Sequence, residues 1–254
     1  MPLELLETLN TSRNLKRKMG TSHAQDFLEL QAWNIPSFED EFQGDTLSGT
    51  YQSTASGANS VAAAISTGVV NCAILLDAGD ADNGRCDLSL GLHYQAQLNC
   101  VYVARFVIPT LTTRKFEIGF TDVISGTDAG AVATKATPTF TADDAVVLVY
   151  DSDDDTNLTL AGVKATAVAT EADFDFTLVA GTYYYFGVAL FGDDNARGFL
   201  LDANGALIEE QIIEDCITGS TLLTPWLFVQ NRAGNAGTMT VDWHTAYQRR
   251  TTTI

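Results

Sequence analysis

The chain has 254 residues, a mass of 27.3 kDa and a net charge of −18. That length fits one large all-β domain, or a smaller domain with an appendage, and 46% hydrophobic against 18% charged residues excludes wholesale disorder. This acidity excludes a nucleic-acid-binding protein, which needs a basic surface, and argues against docking on an anionic membrane. An alternative explanation of the acidity is a protein from a saline habitat or host.

The first 35 residues differ from the rest in texture and charge. Four basic residues balance four acidic ones there, so residues 36–254 carry the entire −18. Acidic residues come first, a basic cluster follows and Gly20 comes after it, which is the order that a helix macrodipole favours. The pattern predicts a helix over residues 3–18 within an N-terminal arm of residues 1–35.

This arm holds the candidate assembly contacts, which are four leucines on a short apolar side and four basic residues after them. They are Leu3, Leu5, Leu6, Leu9, Arg13, Lys16, Arg17 and Lys18. An isolated helix of about 16 residues is marginal in water, so we expect it to be ordered only when it packs on a partner. Copies that each carry −18 repel one another, so association needs this local apolar burial and positive charge. The alternative is that the arm folds back over its own sandwich.

From about residue 38 onward the texture is that of β-structure, with Val, Thr, Tyr and Phe punctuated by Gly, Asn and Asp. Strands are predicted over residues 71–77, 86–92, 99–108, 114–122, 145–150, 158–165, 174–178, 183–191, 196–201, 207–213, 226–230 and 238–247. Several alternate strictly, as Phe116, Ile118 and Phe120 do, which is typical of half-buried antiparallel strands. Residues 36–254 are therefore predicted to form one antiparallel two-sheet sandwich or jelly roll without helices.

Three stretches of this body resemble a known family. They are F-E-D-E-F-Q-G-D-T-L-S-G at 38–49, F-L-L-D-A-N-G-A-L at 199–207, and L-T-P-W-L-F-V-Q-N-R at 223–232 followed by M-T-V-D-W at 239–243. They are similar to the opening, a hairpin and the last strand pair of the concanavalin A-like (laminin-G-like) jelly rolls in tailed-bacteriophage virion proteins. The resemblance covers about 215 residues and implies an all-β concanavalin A-like sandwich, with the helical arm outside it.

Glycoside hydrolases on this fold carry paired carboxylates on one face of one strand, because retaining hydrolysis needs an acid and a nucleophile about 5–5.5 Å apart. The nearest match is Glu39-Asp40-Glu41, at the opening of the domain, where we expect a turn into a strand. His93 and His244 have no nucleophile tied to them by a local motif, so we interpret both as strand-surface or satisfied histidines. The sequence therefore predicts no catalytic site and no enzymatic activity.

Two acidic stretches, 151–155 and 77–84, could hold calcium through carboxylate oxygens, but solvated turns are the favoured interpretation. The cysteines have no metal-ligand spacing with the histidines and are interpreted as small buried hydrophobes; they are Cys72, Cys86, Cys100 and Cys216. No metal or cofactor is predicted. Trp226, Trp243 and the aromatic run at 183–186 could form a sugar-stacking platform, although core packing explains them as well.

These observations and the resemblance predict a non-enzymatic structural protein of a phage virion, most simply a capsid decoration (cement) protein or a related head component. The alternative is a carbohydrate-binding tail or fibre appendage that uses the concave sheet of the sandwich for host glycans. The expected partners are other virion proteins, above all the major capsid protein, and further copies of the chain. The resemblance implies a trimer. No signal-peptide pattern is seen, so we expect assembly into virions in the host cytoplasm.

Overall fold

The computed structural model describes residues 37–42, 46–66, 72–124, 130–166 and 168–248. Within these ranges the chain forms seventeen strands, β1 to β17, and one 3-10 turn at Ala96–Leu98. The predicted helix over residues 3–18 and the eight candidate assembly residues in it lie outside the described residues.

The strands assemble into two antiparallel sheets and one small hairpin. Sheet A contains β1 (Ser37–Asp40), β3 (Val61–Ile65), β4 (Ile74–Asp77), β6 (Val101–Val107), β13 (Tyr184–Phe191), β14 (Asn195–Leu201), β15 (Leu207–Ile213) and β17 (Thr238–Tyr247). Sheet B contains β2 (Ala55–Ser56), β5 (Arg85–Ser89), β7 (Arg114–Thr121), β10 (Ala145–Asp151), β11 (Asp155–Lys164), β12 (Val168–Asp173) and β16 (Thr224–Asn231). The hairpin pairs β8 (Val132–Thr134) with β9 (Thr139–Phe140).

The order of strands is that of a sandwich whose consecutive strands often belong to different sheets. Sheet A runs β15-β14-β13-β6-β17-β4-β3, with β1 paired to β17 beside this path. Sheet B runs β12-β11-β10-β7-β16-β5-β2. The predicted two-sheet antiparallel sandwich is therefore confirmed for the described residues.

The main core lies between the sheets and is lined by the alternate residues that the sequence pattern selects. Phe116, Ile118 and Phe120 of β7 are fully buried there. Phe116 packs on Phe106 and Phe186 of sheet A, and these two rings meet edge to face with centroids 4.6 Å apart. A one-residue slip of β7 would exchange this apolar face with its polar one, so the core fixes the register of the sheet.

One predicted strand, over residues 174–178, is wrong. Phe174 and Leu178 are buried and Asp175 is exposed, so the alternation is real, but no ladder forms. The backbone N–H groups of Asp175 and Phe176 instead donate to the Glu209 carboxylate, both at 3.0 Å. Alternation reports which way side chains face and does not require a neighbouring strand, which is why the sequence pattern misleads here.

Candidate functional site

The outer face of sheet B carries the most unusual group of polar residues in the described chain. Lys115, Glu117, Gly119 and Thr121 alternate with the core residues of β7 and therefore point away from the main core. Lys115 and Glu117 are nevertheless completely buried, and their Nζ and Oε1 atoms lie 3.2 Å apart. A buried ion pair needs further hydrogen bonds to offset its desolvation, so its remaining partners are decisive.

The Glu117 carboxylate is fully used by its neighbours. Its Oε2 accepts the Ala131 N–H at 2.7 Å and the Trp226 Nε1–H at 3.0 Å, and its Oε1 accepts the Val132 N–H at 3.1 Å. Lys115 Nζ donates to the Val132 carbonyl. The ion pair thus binds the backbone of the β8–β9 hairpin and holds it across the sheet.

The hairpin covers this face with apolar side chains as well. The apolar cluster beneath and within it contains Ala131, Val132, Ala142, Ala145, Val147, Val149, Ala161, Val163, Trp226 and Phe228, all buried. The Trp226 and Phe228 rings are stacked, with centroids 6.0 Å apart and planes at 12°. At the far end of the hairpin, the buried Lys135 binds Asp155, and the Asp154 carboxylate accepts the Lys135 N–H at 2.6 Å. This hairpin is an integral layer of the fold.

Neither Gly119 nor Asp87 places a second carboxylate beside Glu117 on this face. A β-carbon at Gly119, two residues after Glu117 on the same face, would lie 2.2 Å from the Val146 carbonyl oxygen, so no side chain fits there. Asp87 lies on β5, two strands from β7, and its oxygens accept bonds from the Thr54 N–H and Oγ1–H. Retaining hydrolysis needs a second carboxyl group about 5–5.5 Å from the first, and neither Gly119 nor Asp87 supplies one beside Glu117.

The sequence stretch at 39–41 is divided between the two faces of the sandwich. Glu39 accepts the Trp243 Nε1–H at 3.0 Å on the outer side of sheet A, whereas Asp40 accepts the Tyr51 hydroxyl at 2.7 Å on the inner side. Neighbouring residues of a strand point in opposite directions, so Glu39 and Asp40 do not act on one substrate. Their role in the structure is to hold β1 against β17.

His244 lies on the inner side of β17 and is completely buried. Its Nε2 lies 2.7 Å from the Tyr51 hydroxyl and its Nδ1 lies 3.1 Å from the Tyr102 hydroxyl. Burial lowers the pKa of His244 to about 3 and raises the pKa of Tyr102. The interpretation of His244 as a satisfied histidine is confirmed, because both of its ring nitrogens have a hydroxyl partner.

The acidic turns are bound internally. Asp151 is fully buried and pairs with Arg232, and Asp77 accepts the Gly79 N–H at 2.8 Å. The Asp80 carboxylate accepts Asn59 Nδ2–H at 2.9 Å. Within the described ranges, no group of three His, Cys, Asp or Glu residues could hold a metal ion. Burial raises the pKa of Cys86 to about 12, as expected of a buried hydrophobe.

Most of the candidate sugar-stacking residues are buried by packing and are not exposed to solvent. Trp226 is fully buried under the hairpin, and Trp243 and Tyr185 are at most 7% exposed. Tyr183 is half-buried, and the Arg105 guanidinium lies 4.2 Å from the centre of its ring. The interpretation as packing residues therefore holds for Trp226, Trp243 and Tyr185 in this structure.

Sequence reasoning missed the Lys115–Glu117 pair, although a signal was present. The strand 114–121 places a lysine and a glutamate two residues apart on one side of β7, the side that half-buried alternation predicts to face water. No local pattern in the sequence indicates that a hairpin fifteen residues after Glu117 folds back over these two side chains.

No helix among the described residues is long and apolar enough to span a membrane.

Comparison with known proteins shows the fold. No protein-family description and no curated protein matches the chain. Among solved structures, a protein of unknown function from Shewanella oneidensis MR-1 is similar, with a TM-score of 0.62 and 14% identity over 87% of this chain and 89% of that one. The Bacillus licheniformis β-glucanase has a TM-score of 0.54 and 12% identity over 84% and 98% of the two chains. Peanut lectin has a TM-score of 0.57 and 11% identity over 86% and 99%.

The chain therefore has the concanavalin A-like lectin/glucanase jelly-roll fold. These three examples are a β-glucanase, a lectin and a protein of unknown function, and their identities to this chain are too low to transfer any activity. One fold hosts many functions, so the function has to be argued from the residues on these two sheets.

Proposed function

We propose that this chain is a non-enzymatic structural protein of a phage virion, most simply a capsid decoration protein or a related head component. The observation that carries the proposal is the closed outer face of sheet B. Ligand sites are concave and present a few convergent polar groups to the ligand. Here Lys115, Glu117 and Trp226 converge on one another and on the chain's own hairpin.

The sequence motifs supply the virion setting of this proposal. The stretches 38–49, 199–207 and 223–232 with 239–243 resemble phage structural jelly rolls, and all three contribute strands here. A closed and self-sufficient sandwich suits a protein that covers a shell, because such a protein needs a stable body and a separate attachment segment. The arm of residues 1–35 is that segment in this proposal, with the major capsid protein and further copies of the chain as its partners.

Association of copies has to overcome their charge. Each body of residues 36–254 carries −18, and screening reduces this repulsion beyond about 8–10 Å at physiological salt. We propose a homo-oligomer, specifically a trimer, that is held by short-range contacts of the arm and assembles on virions in the host cytoplasm.

Immunogold labelling of purified virions with an antibody against the sandwich tests this function. We expect gold on the heads, and dissociation of the protein without loss of the shell. Gold on tail fibres would favour the alternative, a tail or fibre appendage. Particles that lack the protein would overturn the proposal. Hydrolysis of β-glucans by the pure protein, abolished in Glu117→Gln, would overturn its non-enzymatic part.

The second candidate function is carbohydrate binding, favoured by the structural likeness to a lectin. It would need a surface other than the outer face of sheet B, because Trp226 and Phe228 are fully buried there. A glycan array with the intact protein separates the two candidates. Binding of a defined glycan, competed by the free sugar, favours the appendage, whereas an empty array beside head-labelled particles favours the decoration protein.

A further inference from the structure

The outer face of sheet A carries a buried apolar cluster that ends one strand before the edge of the sheet. None of its members is more than 9% exposed, and they include Val103, Tyr185, Phe199, Leu201 and Trp243. The edge strand β15 continues this face, because Leu207 pairs with Leu201 and Ile212 pairs with Arg197. On β15 the apolar side chains are no longer buried, since Leu207 is 53% and Ile212 is 52% exposed.

The backbone of β15 is open on one side. Among the described strands it pairs with β14 alone, and it stands at the end of sheet A. In an antiparallel sheet, alternate residues turn their N–H and C=O groups towards each neighbour, so the groups of β15 that face away from β14 form a template for a further strand. Of the four described strands that end the two sheet paths, β15 is the longest, with seven residues.

The other three path-ending strands are protected against such pairing. Edge strands are commonly protected by short length, exposed charges, prolines or irregular pairing. Strand β2 has only two residues, and β12 presents the exposed Glu171 and Asp173. The pairing of β3 is irregular between Val61 and Ala64. Each of these edges therefore has a feature that discourages a further strand.

Strand β15 has little protection of this kind. It contains no lysine and no proline, and its ladder with β14 is regular from residue 209 to residue 213. Its two charges are bound within the chain. Glu209 accepts the N–H groups of Asp175 and Phe176, both at 3.0 Å, and Glu210 pairs with Arg197 at 2.6 Å. The strand thus has an open backbone and exposed apolar side chains, as a docking edge does.

The charge around β15 decides which kind of strand fits. Residues 202–215, which contain β15 and its flanking turns, hold five acidic residues and no basic one. Residues 168–175, which contain the edge strand β12 on the same side of the sandwich, hold three acidic residues and no basic one. Two copies joined through β15 would bring these like charges together, which is destabilising. A basic segment of a different protein has the complementary charge.

We propose that β15 binds an extended, basic segment of a partner protein, which joins sheet A as a further strand. Main-chain hydrogen bonds along the edge supply affinity in this mode of recognition, and the side chains of alternate residues supply specificity. The inference goes beyond the virion role, because an edge of this kind serves any partner that presents such a segment.

The spacing along β15 defines the sequence pattern of the segment. Leu207 and Ile212 lie opposite Leu201 and Arg197, which are four residues apart on β14, so the two apolar side chains are about 14 Å apart along the edge. Glu210 lies between them, and its side chain is 34% exposed. A regular strand places residues i and i+4 beside the two apolar side chains and residue i+2 beside Glu210. The recognised pattern is therefore apolar-x-basic-x-apolar.

An array of nine-residue peptides, probed with the intact protein, tests this pattern. The peptides carry Val, Ile or Leu at their third and seventh positions and Lys or Arg at the fifth, and a matched set carries Glu at the fifth. We expect the basic set to bind and the Glu set to bind at least tenfold more weakly. In hydrogen exchange, a bound basic peptide should slow the amides of residues 207–213 several-fold and leave those of residues 61–65 unchanged.

A protein variant with Leu207→Gln and Ile212→Gln removes the apolar contacts without adding charge, and it should bind the basic peptides at least fivefold more weakly. The matched control is Val179→Gln, because Val179 is 58% exposed and lies outside the strands, so this variant should bind like the wild type. Circular dichroism checks that both variants are folded, as expected for substitutions at exposed positions.

The inference would be overturned if no basic peptide bound, or if the double variant bound as tightly as the wild type. It would also fail if protection of residues 207–213 increased with protein concentration in the absence of peptide, because a second copy would then occupy the edge. None of these results depends on where the protein sits on a particle, so the virion role is tested separately by the immunogold labelling.

Discussion

The two sheets of this sandwich both hide their outer faces, but with different chemistry. On sheet B, hydrogen bonds and apolar contacts act together. Lys115 and Glu117 bind the backbone of the hairpin, and Trp226 and Phe228 pack beneath it. On sheet A the buried outer cluster consists of aliphatic and aromatic side chains, and its charged neighbours Arg105 and Arg197 pair within the sheet with Asp242 and Glu210.

These two kinds of contact differ in how precisely they fix what packs on each outer face. A buried ion pair that is hydrogen-bonded to particular backbone groups fixes one position of the hairpin, since any shift leaves charges unpaired. An apolar cluster has no such directional bonds, so it tolerates small shifts and changes of shape in what packs on it. The cover of sheet B should therefore be rigid and costly to disturb.

The largest expected effect comes from removing the centre of the sheet B cover. Glu117→Ala leaves Lys115 charged in a buried site and removes the acceptor of three N–H groups, so it should lower the free energy of unfolding by about 3–5 kcal/mol. Denaturation in guanidinium chloride measures it. Glu171→Ala, at an exposed position of the same sheet, is the control and should change stability by no more than about 0.5 kcal/mol.

A pair of phenylalanines sharpens the comparison between the faces. Phe199→Ala and Phe228→Ala each empty a fully buried site, and each should cost about 3–5 kcal/mol in the intact chain. Urea denaturation of the two variants measures both costs, and a much smaller loss for Phe199→Ala than for Phe228→Ala would show that the outer face of sheet A is packed less tightly than that of sheet B.

The sequence could predict the sheets better than their covers. Alternation along β7 and β17 identifies their inner faces because the core selects apolar residues at every second position. The short strands β8 and β9 escape such reasoning, since they contribute few residues and are held by Glu117 and Asp154, which are distant in sequence. Long-range contacts of this kind leave no periodic trace.

The loss of stability in acid tests the burial of His244 on the inner side of sheet A. Since burial lowers the pKa of His244 to about 3, the unfolded chain, with a histidine pKa near 6.5, takes up the proton more readily than the native one. The contribution of His244 to stability is thus complete above pH 6.5 and is lost as the pH falls from 6.5 towards 3. The loss is about 1.4 kcal/mol per pH unit, or about 2 kcal/mol between pH 6.5 and pH 5.

This slope is measured by urea denaturation at several pH values. His244→Gln should remove it whatever the stability of the variant, because the comparison concerns the dependence on pH. His93→Gln changes an exposed histidine and should retain the slope of the wild type. If His244→Gln and the wild type lose stability in parallel, carboxylates rather than His244 govern the acid response.

The smallest effect is expected for Lys135, the other buried lysine of this region, which lies at the end of the hairpin. Comparing Lys135 with Lys115 separates the effect of burying the partner carboxylate from the effect of the charge pair itself. Lys115 and Lys135 are both buried and each pairs with a carboxylate, but Glu117 is completely buried whereas the side chain of Asp155 is 43% exposed. Lys115→Met leaves a carboxylate with no access to water, so it should cost several kcal/mol. Lys135→Met leaves Asp155 free to turn into solvent while methionine keeps the packing, so its cost should be about 1 kcal/mol or less. Because the Lys135 N–H bond to Asp154 survives the substitution, the hairpin should stay in place, as footprinting of Phe228 would report. Equal losses for the two variants would show that the hairpin depends on both lysines alike, and that the fixed position of the sheet B cover does not originate at Glu117.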